Sequence, residues 1–552
     1  MNPTQRSSLM PRQGMRITSR LRLAGAVLCA LASLAQIRAM SSLESIPAVR
    51  SAAIGASVPG AEAPGRLVLA NEPEGAAGAI LDFDLGKVVA KMTPSARITL
   101  DLEKLPVKRP GQSAGVERGA IHLFTVAADG SETLAGSIHV KPGGAMASYP
   151  VDVTDAVNRV LTRPAGERKV RFAIRLTGKP AAYEVYALPA AVPSLEIASA
   201  KDWPDDWDRR IATIVRGPEV YRESCIAVVG NRNKEGELKL LYPARKVTEM
   251  IALGTGERLQ EGRDWVLRGG RVVLPPGSHA PVQLAAEFFL TPRKEKDGSV
   301  TLVRNTIKLT SGPWYHERQM EVTYEPAARD WTWPAARSSL DQLPRTKKLL
   351  QSKAPLKIVL FGDSISAGYD SSRINAAWPY QPPFGDLVIW QLKKTYGAPI
   401  TFMNHARGGG TSSHALTQVD SQVAWFKPDL VLLAYGMNDR SEERRIGYRE
   451  NLEKIIDAVR ARSPETEFVL ITPMLNSPKQ ATGLDPVKFI RDEGLRVPRP
   501  GVAFVDVTST QLSMLERKDY LDLSGNGANH PNDFLHRIYA QRILEVLAPG
   551  KP

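Results

Sequence analysis

The chain is poor in cysteine, with two in 552 residues. Cys29 lies in an apolar run near the N-terminus, so Cys225 stands alone in the remainder. That excludes an internal disulfide there and any cysteine-based metal site, and a single cysteine of this kind is expected as a buried apolar filler. The apolar run itself, LAGAVLCALASLA (23–35), is too short to span a bilayer. No H-E-x-x-H, EF-hand or P-loop pattern occurs, so no obligatory metal, nucleotide or other cofactor is expected. Tandem repeats are missing as well. The formal charge is +14, but six arginines and no acidic residue fall within 1–39, leaving +8 on the rest. That remainder has no dense Lys/Arg run. The charge therefore reads as solubility and not as a nucleic-acid surface.

What is present divides by texture. Arg16, Arg20 and Arg22 precede the 23–35 run, a charged region followed by a short apolar one. This pattern predicts a cleaved signal peptide over 1–39, with a site after Ala35 or Ala39; an uncleaved anchor is the alternative reading. Met10 or Met15 are alternative starts. The mature chain is expected to be secreted or periplasmic and to have no membrane span. Residues 40–75, rich in Ala, Gly, Ser and Pro, read as a lead-in. From 76 to 200, short β-like runs (ILDFDL, RITLDL, IHLFTV, RFAIRL) alternate with Gly/Pro turns around one helical pattern, DVTDAVNRVL. That predicts an antiparallel sandwich. A second β-rich stretch covers 209–325, and 326–348 reads as a linker. Trp203, Trp207, Trp314, Trp331 and Trp333 gather near these boundaries. Aromatics stack on sugar faces, but packing between domains is their more frequent use.

Region 349–552 differs in kind. The runs LKIVLF, ITFM, DLVLLAY, EFVLIT and VAFVDV alternate with helical patterns. Near-continuous apolar strands separated by helices predict a five-stranded parallel sheet covered on both faces, a doubly wound α/β domain. In such sheets, sites form beyond the carboxyl ends of the strands. After the first strand comes Gly362-Asp363-Ser364. Asn404-His405-Ala406-Arg407-Gly408-Gly409-Gly410 follows the second, and Gly436-Met437-Asn438-Asp439 the third. After the fifth comes GNGANHPNDF with His530. These supply the parts for acyl transfer: Ser364 as nucleophile, His530 as base, and the backbone N–H groups of Gly409 and Ser364 with the Asn438 amide as oxyanion donors.

The four blocks FGDSIS, NHARGG, YGMND and NHPND, in this order and strand context, resemble the SGNH (GDSL-type) hydrolase family. The resemblance covers about 345–550 and implies a flavodoxin-like three-layer fold. It assigns the nucleophile to Ser364, oxyanion roles to Gly409 and Asn438, and the base to His530. Ser366 stands where G-x-S-x-G would need glycine, so the α/β-hydrolase elbow pattern is absent. The family carries Asp three residues before its His; here that position is Gly527. The acceptor for His530 Nδ1 is then expected from 523–529, where Asn526 and Asn529 offer amide oxygens, or from Asp522, with Asp533 a remote third. Asp363 and Asp439 are expected to fix their loops. His405 and His414 flank the glycine loop and are expected as loop residues, with substrate binding the alternative, and His536 is expected on a helix surface. Pro531 is expected at the first helical position.

The 76–200 region resembles non-catalytic jelly-roll modules of carbohydrate-active enzymes. TGERLQEGRDWVL (255–267) resembles an accessory β domain found ahead of SGNH domains. Together these imply an exported serine esterase acting on short acyl groups, O-acetyl foremost, of an acylated carbohydrate or another small ester. Two other readings stand beside it: a lipase or thioesterase of the same fold, and a glycan-binding protein whose hydrolase domain is inactive. The absent Asp is the best support for the last. Residues 345–552 are expected to fold as one unit. The sequence leaves oligomeric state open.

Overall fold

The computed structural model describes residues 42–47, 50–54, 66–70, 78–87, 95–104, 120–138, 147–177, 185–189, 194–199, 206–231, 233–285, 290–294, 300–304, 310, 312–375, 377–480 and 483–549. The expected signal peptide lies outside them, as does Trp203.

Two antiparallel sheets form the N-terminal part. One runs Ser42–Pro47, Ser194–Ser199, Ser95–Lys104, Val185–Pro189, Arg66–Ala70, with Ala147–Asp152 also paired to Ser95–Lys104. The other runs Arg50–Ile54, Gly78–Asp84, Lys169–Thr177, Ala120–Val126, Glu132–Ile138. In the strands Gly78–Asp84, Ser95–Lys104, Ala120–Val126 and Lys169–Thr177, residues two apart point inward, as the period of two demands. Leu81 and Phe83, Ile98 and Leu100, Ile121 and Leu123, and Phe172 and Ile174 meet in one buried cluster, sealed by Val157 and Leu161 of the Thr154–Leu161 helix. The 40–75 stretch, expected as a lead-in, supplies three of these strands. Its small residues tolerate a strand because pairing partners are provided from 78–84, 185–189 and 194–199. His122 of this sandwich lies against the C-terminal region, its ring 5.1 Å from that of His405 and 5.5 Å from that of Phe426.

The middle region is built on a four-stranded antiparallel sheet, ordered Val220–Cys225, Met320–Pro326, Ala244–Ala252, Glu257–Arg258. Its buried residues are continuous with the core of the C-terminal region. Val220, Met250, Met320, Val322 and Tyr324 join Leu356, Ile358, Phe384, Leu535 and Ile538 in a single buried cluster. Polar groups cross the same seam: Arg537 Nη1 donates to Tyr221 O at 3.0 Å, and Lys518 Nζ pairs with Glu223 at 2.6 Å, both side chains fully buried. Expected as a linker, 326–348 is pinned down too. Trp331 Nε1 donates to Ser513 O (3.0 Å) and Trp333 Nε1 to Glu545 (2.7 Å).

The C-terminal sheet is parallel and five-stranded, ordered Ile400–Asn404, Leu356–Gly362, Leu430–Ala434, Glu467–Ile471, Val502–Val505. This 2-1-3-4-5 order is the flavodoxin-like one. Both faces are covered. Ile358 and Leu360 face the helices Phe384–Tyr396 and Asp533–Leu547; Val359 and Phe361 face Ser412–Gln422, Tyr448–Arg462 and Asp485–Gly494. Burial on both faces explains the unbroken apolar runs. Each fully buried aliphatic side chain contributes about 1.5–3 kcal/mol, so the sheet anchors whatever stands at its strand ends.

Candidate active site

The first strand ends at Gly362, and the chain passes at once into a series of turns. Ala367 N donates to Asp363 O, Gly368 N to Ile365 O, and Tyr369 N to Ser364 O, all near 3.0 Å. Asp363 accepts from Ile365 N at 3.0 Å through its own side chain, and burial pushes its carboxyl up to about 7. Ser364 is thus held at the carboxyl edge of the sheet by local bonds. The turns wind the chain back, so that Asp370, six residues on, returns to the same spot with φ +65°. That region costs an ordinary side chain roughly 1–3 kcal/mol, and aspartate, with its short polar side chain, is one of the residues that enters it most readily.

His530 completes the arrangement. Its Nε2 lies 2.9 Å from Ser364 Oγ and its Nδ1 lies 2.6 Å from Asp370 Oδ2. The second carboxylate oxygen of Asp370 accepts from Gly312 N at 3.2 Å. Serine, imidazole and carboxylate stand in line, with the carboxylate almost wholly buried. Close approach is built into the backbone as well. A Cβ at Gly525 would come within 2.6 Å of Asp370 Cβ, so only glycine lets the two loops meet there.

The acceptor on Nδ1 is therefore a carboxylate, and it comes from none of the expected positions. Asp522 accepts from Ile226 N (2.8 Å) and Asp519 N (2.9 Å) and is turned into the middle region. Asn526 Oδ1 is spent on the backbone N–H groups of Ala528, Asn529 and His530. Asn529 Oδ1 accepts from Asn526 Nδ2 (3.1 Å). Asp533 holds Ser372 N at 2.8 Å, bracing the loop that carries Asp370. The only signal for Asp370 in the sequence was a carboxylate a few residues past the nucleophile in a turn-rich segment. A linear pattern does not say that such a segment folds back.

Gly409 has φ +73°, which a side chain would resist, in a loop closed by Gly410 N donating to Arg407 O. Asn438 Nδ2 donates to Gly410 O at 3.0 Å, which ties the third strand's end to this glycine loop. Asp439 accepts from Ser412 N (2.9 Å) and Ser412 Oγ (2.6 Å), fixing its loop as expected. Tyr369 stands at the rim, nearly half exposed, its ring edge-on to His530 at 5.6 Å.

The remaining histidines separate. His405 is fully buried, Nδ1 on Gln422 O, and burial lowers its pKa to about 4. His414 Nε2 faces Arg407 Nη1 at 2.5 Å. His536, expected on a helix surface, is completely buried and stacked on Phe384, with its pKa lowered to about 3. The final helix is enclosed between the sheet and the middle region, so even its polar positions are covered. Its N-cap is Asn532, whose side chain accepts from Leu535 N at 3.1 Å; Pro531 lies one residue outside.

Comparison with known families agrees with this region's pattern. Residues 360–538 match the family described as GDSL-like Lipase/Acylhydrolase. An arylesterase of Vibrio mimicus is 33% identical over 88 residues, which is 16% of this chain and 40% of that protein, so less than half of that relative is spanned. Among solved structures, an acetylxylan esterase from Geobacillus stearothermophilus aligns at 18% identity over 35% of this chain and 94% of its own, with a TM-score of 0.28. A two-domain esterase active on acetylated mannans aligns at 21% identity over 38% and 53%, with a TM-score of 0.31.

Proposed function

We propose, from the premise that residues 360–538 are a GDSL-like lipase/acylhydrolase domain, that this protein is an exported serine esterase removing short acyl groups, O-acetyl foremost, from a carbohydrate. The observation that carries the esterase chemistry is the Ser364–His530–Asp370 line, 2.9 and 2.6 Å at its two joints. Ser364 Oγ attacks the ester carbonyl while His530 Nε2 takes its proton. Asp370 holds the Nδ1–H tautomer and stabilises the imidazolium that forms. The developing oxyanion is received by Gly409 N–H, the Asn438 amide and Ser364 N–H. Collapse expels the alcohol, which leaves with the proton from His530. Water, deprotonated by the same imidazole, then releases the acid from acyl-Ser364.

The carbohydrate assignment rests on the antiparallel sandwich ahead of the hydrolase and on the N-terminal charged-then-apolar pattern. A buried carboxylate on His530 removes the main support for an inactive binding protein. The test pairs acetate release from acetylated xylan and mannan with cleavage of long-chain esters. Faster turnover of the glycans supports the proposal, and a preference for long chains replaces it with a lipase. Ser364→Ala should abolish turnover, by about 10⁴–10⁶, without unfolding the protein; more than a tenth of the activity remaining would remove Ser364 as the nucleophile.

A further inference from the structure

The loop that carries His530 is held from outside the hydrolase domain. Gln319, at the C-terminal end of the His316–Arg318 turn of 3-10 helix, is fully buried. Its Nε2 donates to Leu521 O (3.0 Å) and Ser524 O (2.9 Å), where the His530 loop begins. Its Oε1 accepts from Asn532 Nδ2 (3.1 Å), where the loop ends. One amide thus clamps both ends of the 524–532 loop. Inside that loop, Gly525 N and Ser524 Oγ both donate to His530 O, at 2.9 and 3.2 Å, so the clamp acts one bond away from the base. The same stretch of chain reaches the acid, through Gly312 N on Asp370 Oδ1.

We infer that Gln319 is a positioning residue for the His530 imidazole, and that the middle β region is part of the catalytic apparatus and not an appended module. The inference rests on the esterase reading above. The physical reason is geometric. Nε2 must face Ser364 while Nδ1 faces Asp370, and a misplacement of about 1 Å can cost roughly 100-fold in rate. Losing the Gln319 donors leaves two buried carbonyls unpaired, which the loop relieves by shifting.

The experiment uses the full chain and reads Ser364 activation with a fluorophosphonate probe, which needs no knowledge of the substrate. It also reads kcat and KM per titrated site on p-nitrophenyl acetate. Gln319→Leu should lower the labelling rate and kcat about tenfold to 100-fold, with KM within about twofold. Gln319→Glu keeps size and the acceptor to Asn532 but loses the two donors, so it supplies the test if the leucine variant does not fold. Its defect should shrink as pH falls, because a protonated carboxyl donates again. A purely structural role would lower Tm and the number of active sites while leaving kcat per site unchanged, and that result overturns the inference. A wild type that does not label overturns the esterase reading itself. A wild type and Gln319 variants labelling at equal rates overturn only the positioning role.

Discussion

Replacing Asp370 by asparagine isolates the charge and tautomer control of the catalytic line with almost no change of shape. In the native protein one carboxylate oxygen faces the Gly312 N–H at 3.2 Å and the other faces His530 Nδ1 at 2.6 Å. An asparagine must choose which atom faces which partner. Its NH2 cannot face the Gly312 N–H without opposing two donors, so the carbonyl oxygen stays there and the NH2 turns to the imidazole. Nδ1 then becomes the acceptor, the ring proton moves to Nε2, and the base is disabled towards Ser364. The expected loss is about 10⁴ in kcat, roughly 5 kcal/mol of transition-state stabilisation, with KM little changed. The assay is initial-rate hydrolysis of p-nitrophenyl acetate, with circular dichroism and Tm to verify folding. Asp522→Asn is the control: that side chain faces Ile226 and Asp519 and should lose less than about tenfold in kcat. A folded Asp370→Asn protein keeping more than a tenth of wild-type kcat would refute the reasoning and return the Nδ1 acceptor to a neutral group.

Asn438→Ala should lower kcat by about 10²–10³ at nearly constant KM, the effect of removing one oxyanion donor; an unchanged kcat leaves Asn438 as a brace on Gly410 alone. A fragment beginning at 345 should not fold, since Val220, Met320 and Tyr324 complete the cluster around Leu535 and Ile538. This reverses the expectation from sequence, and a soluble, cooperatively melting fragment would contradict it. Acid should weaken the seam at His405. Its folded pKa, about 4, lies below its usual value of 6.5, so the unfolded chain binds the extra proton. The contribution is complete above pH 6.5 and fades as pH falls towards 4, by on the order of 3 kcal/mol. Wild-type Tm minus that of His405→Gln should therefore decline from pH 7 to 4.5, and a difference independent of pH counts against it. Opposite effects from Asp363, raised to about 7, cancel in that subtraction.

Local order in the sequence determined a good deal of this protein. The five apolar runs from Leu356 to Val505 became the parallel sheet because burial on both faces demands unbroken hydrophobicity, and that demand is written residue by residue. The short β-like runs IHLFTV and RFAIRL became sandwich strands, with Ile121, Leu123, Phe172 and Ile174 in the interior. Ser364 and His530 were legible because strand ends in such a sheet converge, so order along the chain stands in for proximity. Only the tertiary structure decided the rest. Asp370 reaches His530 through the fold-back of its own loop past Gly525, and Asn526 is consumed by neighbouring amides although it stands four residues from the base. Strands within 42–70 depend on partners more than a hundred residues away as well as nearer ones. His536 is buried because its ring stacks on Phe384 of the neighbouring helix, while Arg537 and Gln541 of its own helix are covered by the middle region. Hydrophobic period is a property of neighbours in the chain; the partner of a buried polar atom is a property of neighbours in space.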